Sequence, residues 1–228
     1  MVNRAAYLFA ILLTAAVPGL LSQETSFEQR LEPAEVDAFI AELYEGYDAP
    51  QARFSVDVYE LFVETSHPSG VKTPVRVQLF VPEMQASGIR GSYLFLPGST
   101  GLINPCRVSR EHVAGIWWGL YRAHVLSLVG QGFVGILPDY TGYEDWNLIQ
   151  PYFHAESEAR LIMDVMTAVD AFLNDRVPGG LRELTRVAAG YSQGGHAIFA
   201  AADRSDEFPE GLELEGLIGY GPTTAVDA

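Results

Sequence analysis

A glycine-bracketed serine, Gly190-Tyr191-Ser192-Gln193-Gly194, limits the folds open to this chain more than any other stretch. The run Arg186-Val187-Ala188-Ala189 before it is strand-like, and Gly195-His196-Ala197-Ile198-Phe199-Ala200-Ala201-Ala202 after it is helix-like and small. The pattern reads as strand, sharp turn and helix, with Ser192 at the apex. A serine on so tight a turn takes a strained backbone conformation, and glycines at 190 and 194 leave room for strand and helix to pass. The turn pushes the hydroxyl out above the sheet. The first amides of the helix then point at whatever the hydroxyl attacks. The five-residue string is weak on its own, and its flanks give it weight.

The sheet that such a turn needs is written upstream. Ser92-Tyr93-Leu94-Phe95-Leu96 is a fully apolar strand leading into Pro97-Gly98-Ser99-Thr100-Gly101, and Phe133 to Leu137 is another, ending at Pro138-Asp139-Tyr140. Between them Val113, Ile116, Trp117, Leu120, Tyr121, Val125 and Leu128 form the apolar face of one helix, with Trp117 and Trp118 as its core and rim. A long helix comes next, carrying Leu161, Ile162, Val165, Met166, Val169, Phe172 and Leu173 on one side. The helix after Ser192 runs to about Asp203, and Leu217 to Tyr220 is a last strand. Apolar strands alternating with helices predict a mostly parallel sheet with helices on both faces. Two earlier strands, Phe54 to Thr65 and Thr73 to Val81, are joined by the turn His67-Pro68-Ser69-Gly70. Their alternation predicts a half-exposed antiparallel pair at the N-terminal edge, with His67 a solvated turn residue. Pro33 opens a helical stretch with Val36, Phe39, Ile40 and Leu43 at helical spacing. The chain therefore divides into a targeting segment (1–22), an N-terminal helical segment (23–50) and an α/β core (51–228).

Composition narrows the partners. Apolar residues are 48% and charged residues 19% of the 228, the balance of a folded chain. The net charge is −15, Lys72 is the one lysine and no basic run occurs, which excludes a phosphate backbone as partner and so nucleic acid. Arg4 precedes the short apolar run Ala5 to Leu13, and Pro18-Gly19 interrupts the apolar stretch beyond it. That is the pattern of a signal peptide cut near Ser22, with no stable membrane anchor, and it predicts a secreted or periplasmic protein. One cysteine, Cys106, makes no internal disulfide and no thiolate cluster. The histidines and acids lack metal-ligand spacing, Gly98 to Gly101 lacks the lysine of a phosphate loop, and no G-x-G-x-x-G occurs in the first crossover. No metal and no organic cofactor is expected.

The strand end Phe95-Leu96-Pro97-Gly98-Ser99-Thr100-Gly101, the strand end Leu137-Pro138-Asp139-Tyr140 and Gly190-Tyr191-Ser192-Gln193-Gly194-Gly195, in that order, resemble the α/β-hydrolases. More narrowly, with Pro151-Tyr152-Phe153-His154-Ala155-Glu156 and Gly219-Tyr220-Gly221-Pro222, they resemble the secretory lipase and esterase branch, over roughly residues 53 to 228. The resemblance implies an exported hydrolase of carboxylic esters, acting on a small-molecule or lipid ester. It implies Ser192 as nucleophile, Gln193 as one oxyanion donor, and Ser99 or Thr100 as the second, each through its backbone amide.

At one point the sequence departs from that pattern. In this superfamily the acid and then the histidine come after the serine. After Ser192 the one histidine is His196, which shares the serine's own helix and reads as structural. His67, His112, His124 and His154 all precede it, His154 being the best substitute because it starts a helix beyond a strand end. Asp203 and Asp206 fall at the far end of the serine's helix, Asp227 lies beyond the last strand, and Asp139 reads as hydrogen-bonded to nearby amides. We expect the final strands, the acid and the base to lie in a longer hydrolase of which these residues are the front, and the 228 residues alone to be feeble or inactive. The alternative is a non-catalytic binding protein with a hydrolase-like pocket.

Overall fold

The computed structural model describes residues 25–83, 88–174, 176 and 180–224. Within them the strands are β1 (Thr25–Leu31), β2 (Val56–Ser66), β3 (Lys72–Pro82), β4 (Gly91–Leu96), β5 (Phe133–Pro138), β6 (Arg186–Tyr191) and β7 (Gly216–Tyr220). They form one seven-stranded sheet in the order β1-β2-β3-β5-β4-β6-β7. The pairings from β1 through β3 to β5 are antiparallel, and β5, β4, β6 and β7 pair in parallel. Only β1 and β3 therefore run against the rest. The antiparallel N-terminal edge and the mostly parallel remainder are as the alternation of the sequence predicts.

The apolar stripes decide what covers each face. Leu161, Ile162, Val165 and Val169 of α4 (Ala155–Leu173), with Ala197 and Ile198 of α5 (Gln193–Ala202), pack on Leu94, Ile136 and Ala188. On the opposite face α1 (Pro33–Ile40) and α3 (Tyr121–Val129) bring Val36, Ile40, Val125 and Val129 against Phe80, Tyr93, Phe95 and Leu137. Gly135 of β5 sets how close α3 can come, since a Cβ there would fall 2.5 Å from both Val125 and Val129. The chain reaches β5 from β4 on one side and then passes to β6 on the other side of β4. That reversal leaves a crevice at the carboxyl ends of β4 and β6.

Two expectations are corrected. Residues 25–31, expected within a helical segment, form β1, paired with β2 through a bulge between Phe27 and Gln29. Of its seven residues only Leu31 is buried, so backbone pairing rather than an apolar stripe makes this strand. The helix expected through Val113 to Leu128 is broken into α2 (Glu111–Ala114) and α3. Gly115 closes α2 at φ 63°, and the Glu111 carboxylate accepts hydrogen bonds from the amides of Gly119, Leu120 and Tyr121, each at 2.9 Å, starting α3 afresh. Val113 and Trp117 are consequently exposed instead of facing the core, while Trp118 is half-buried against it. The expected signal peptide, residues 1–22, lies outside the described residues. Among those described, no helix is long and apolar enough to cross a membrane.

Candidate active site

Ser192 joins β6 to α5 at φ 50°, ψ −108°. A serine holds such a backbone only where its surroundings over-determine it. Here its amide donates to Tyr220 O (2.9 Å) and its carbonyl accepts from the His196 amide (3.1 Å). The bracketing glycines are required by contact. A Cβ on Gly190 would fall 2.2 Å from the Gly194 carbonyl, and one on Gly194 would fall 1.9 Å from Leu96 O. The second of these contacts also ties the turn to the loop after β4. A Cβ on Gly98 would strike the Tyr191 ring at 2.6 Å.

The structure thus brings Ser192, Gln193 and the loop 97–101 together at the crevice. Tyrosines hold that loop: Tyr140 donates to Pro97 O and Tyr143 to Gly101 O, both at 2.6 Å. The Ser99 hydroxyl is 2.7 Å from that of Tyr152, and Thr100 Oγ1 is 3.5 Å from that of Tyr143. The side chains of Ser99 and Thr100 thus tie the loop to Tyr152 and Tyr143. Beside the turn, Phe95, Trp118, Tyr121, His124, Tyr191 and Tyr220 line a recess of about 530 Å³ on the α3 face.

Beneath the turn lies a group that sequence reasoning missed. Glu158 of α4 is 2% exposed, and its two oxygens accept from Gln193 Nε2 (2.9 Å) and His196 Nδ1 (2.5 Å). The Phe153 amide is also a donor to it. Burial raises the Glu158 carboxyl above the usual carboxylate range, and the bonds from Gln193 and His196 oppose that shift. Phe153 itself stands at φ 52°, with its ring edge-on to that of His196 at 5.1 Å. One signal for Glu158 was present. It falls on the helical stripe 158-161-162-165, where a carboxylate has no place unless something inside receives it.

Four of the five histidines are paired elsewhere. His154 Nδ1 accepts the Ser157 amide (3.2 Å) and caps α4; His124 Nε2 meets the Tyr93 hydroxyl (2.7 Å); His67 Nδ1 meets Ser69 Oγ (2.7 Å). His112 is held down to about 4 by burial and by Arg122. His196 serves Glu158, in keeping with its structural reading. Among the described residues none of the five histidines hydrogen-bonds the Ser192 hydroxyl. Asp139 is buried and accepts the Ser109 amide (2.9 Å) and hydroxyl (2.5 Å). Asp203 and Asp206 are exposed at the far end of α5, and Asp227 lies outside the described residues. No group of three or more histidines, cysteines or acids among those described could hold a metal ion.

The sheet order, the strained serine after β6 and the loop lying against it from β4 define an α/β-hydrolase fold. Solved structures agree. The chain matches a structure from Legionella pneumophila assigned to the hydrolases (TM-score 0.71, 19% identity, 89% of this chain and 52% of that one). It also matches LipA, a rice cell wall degrading esterase from Xanthomonas oryzae (0.63, 22%, 86% and 48%), and Candida antarctica lipase A in its closed state (0.59, 16%, 87% and 41%). The chain spans about half the length of these structures, and at such identities the likeness is one of fold. No protein-family model matches the sequence, and no curated protein matches it.

Proposed function

We propose that these residues carry the nucleophile half of a serine hydrolase of carboxylic esters, of the lipase or esterase kind. The observation that supports this reading most is the strained backbone of Ser192, held at the head of α5 against the β4 loop. In the proposed reaction Ser192 Oγ attacks the ester carbonyl while its proton passes to a base. Charge develops on the carbonyl oxygen. The Gln193 amide at the start of α5, with the amide of Ser99 or Thr100, receives it, and losing one such donor costs about 3 kcal/mol of transition-state stabilisation. Collapse expels the alcohol, which takes up the proton, and water then releases the acid from the acyl-enzyme.

We assign the base and its orienting acid to a part of the fold that the neighbouring structures span and these residues do not. The aromatic recess beside Tyr191 supports an apolar group on the substrate, whether a small-molecule or a lipid ester. On the strength of its leader-like N-terminus, the protein is proposed to be secreted or periplasmic. N-terminal sequencing of the extracytoplasmic form should begin near residue 23, and an intact Met1 there contradicts the export reading.

Activity is tested with p-nitrophenyl esters of short and long acyl chains, using the 228-residue chain, the longest reading frame that contains it, and the Ser192→Ala variant of each. The longer protein should turn over in a Ser192-dependent way. The 228 residues alone should give at most the residual rate of a site lacking its base, about 10³ to 10⁴ over water. No Ser192-dependent turnover in the longer protein would favour a binding protein instead.

A further inference from the structure

Large apolar side chains left in water are not spread evenly over the molecule. Fifteen are exposed among the described residues. Eight of these fall in the two segments that lead from a carboxyl strand end to the covering helix, 97–120 after β4 and 139–154 after β5. Tyr191 and Tyr220 are the last residues of β6 and β7, so ten of the fifteen gather at the edge that carries Ser192. Charge is distributed the opposite way. The chain carries −15, yet with histidine neutral Arg110 is the one charged residue among the exposed positions of those two segments, and none is acidic. Single exposed apolar residues need no account, whereas an apolar edge with so little charge marks a surface that is covered in use.

The two segments are tied into one platform. The Gln150 amide donates to Leu102 O (3.1 Å), the Tyr143 hydroxyl to Gly101 O (2.6 Å) and Asn104 Nδ2 to Tyr143 O, while Ser99 Oγ meets the Tyr152 hydroxyl at 2.7 Å. Trp146 stands at the tip of a turn closed by the Asn147 amide on Asp145 Oδ1 (2.8 Å) and the Leu148 amide on Asp145 O (3.0 Å). The backbone is held, but Trp146 is 75% exposed, Ile149 62% and Ile103 51%. A fluid surface accepts side chains at a turn's tip without a matched partner. Tryptophan and tyrosine settle at a lipid–water boundary, and scarcity of charge keeps the cost of leaving water low. An anionic surface repels a chain of net charge −15, which leaves a zwitterionic one.

We propose that this edge adsorbs reversibly to a zwitterionic lipid surface, with Leu102, Ile103, Trp146 and Ile149 entering the boundary. Adsorption there sets the Ser192 crevice against the lipid, but the binding itself does not depend on Ser192 chemistry. Its test therefore uses Ser192→Ala throughout, as the 228-residue chain and as the longest reading frame that contains it. Phosphatidylcholine vesicles are the probe, read by co-sedimentation and by tryptophan quenching with brominated phosphatidylcholine. Both proteins should bind at millimolar lipid, equally in about 0.05 and about 0.5 M sodium chloride, since apolar contact is not screened. Trp146→Asp and Ile149→Asp should each weaken binding about tenfold and together abolish it. Phe27→Asp, exposed on β1 at the side of the sheet, should bind as its parent does. No binding by either protein overturns the proposal, as does binding undiminished in the double variant or lost in the higher salt. Binding by the 228 residues alone overturns it too, because the rest of the longer protein then covers the edge. So does a concentration-dependent dimer that the double variant dissolves, because the edge then joins two copies. None of these failures touches the acylation of Ser192, and failure of acylation leaves this surface standing.

Discussion

Ser192 is held at φ 50° by bonds on both sides of its peptide, and that conformation is stored strain. Glycine adopts it freely, whereas alanine keeps the strain and loses the hydroxyl. Ser192→Gly should therefore be more stable than Ser192→Ala by roughly 1 kcal/mol net, after the greater freedom of glycine in the unfolded chain is discounted. Urea unfolding midpoints decide it; an alanine variant as stable as the glycine one means there is no strain to relieve. A second residue carries a pH signature. Burial lifts Asp139 from 3.8 to about 6, against the bonds from Ser109. Between those values the folded state holds a proton that the unfolded chain has released. Stability contributed by this group thus falls as pH rises from about 4 to 6 and is flat above, by about 3 kcal/mol at 1.36 kcal/mol per unit. Asp139→Asn should remove that slope from the urea midpoints; an unchanged slope contradicts the assignment. At this scale the sequence was legible wherever crowding alone decides, as at Gly190 and Gly194. For Glu158 it showed only a carboxylate on an apolar stripe and not its partners, because its acceptor role depends on Gln193 and His196 arriving from another helix.

Glu158 matters most at the scale of elements. Its carboxylate is the polar joint between α4 and α5, and through Gln193 it holds the residue whose amide heads the serine's helix. Glu158→Ala strands the Gln193 and His196 donors in a dry site, at a cost of about 3–5 kcal/mol. Glu158→Gln keeps one acceptor and should recover part of that loss. Hydrogen exchange should show the first turn of α5 opening in the alanine variant. Protection there equal to wild type contradicts the joint. Element prediction succeeded where an apolar stripe dominates, as in α4, β4 and β5. It failed at β1, whose order comes from pairing with β2 some thirty residues on. It failed again between α2 and α3, where the restart depends on Glu111 turning back onto amides 119–121, a capping contact that no periodicity announces.

For the whole molecule, the order of strand ends was enough to predict an α/β sheet with a serine turn at its carboxyl edge, and the likeness to hydrolase structures about twice as long rests on the same features. The described residues contribute a strained serine at the head of α5, a loop lying against it and an aromatic recess. Among them no histidine hydrogen-bonds the Ser192 hydroxyl. The central claim is that Ser192 becomes acylated, and a mass measurement tests it most directly. Tryptic cleavage after Arg186 and Arg204 releases a peptide, 187–204, in which Ser192 is the one serine. The longest reading frame, quenched in acid during turnover of a p-nitrophenyl ester, should show that peptide heavier by one acyl group at Ser192. It should also show no such species for Ser192→Ala. Turnover with an unmodified 187–204 peptide, or with the acyl group on another residue, would contradict the account.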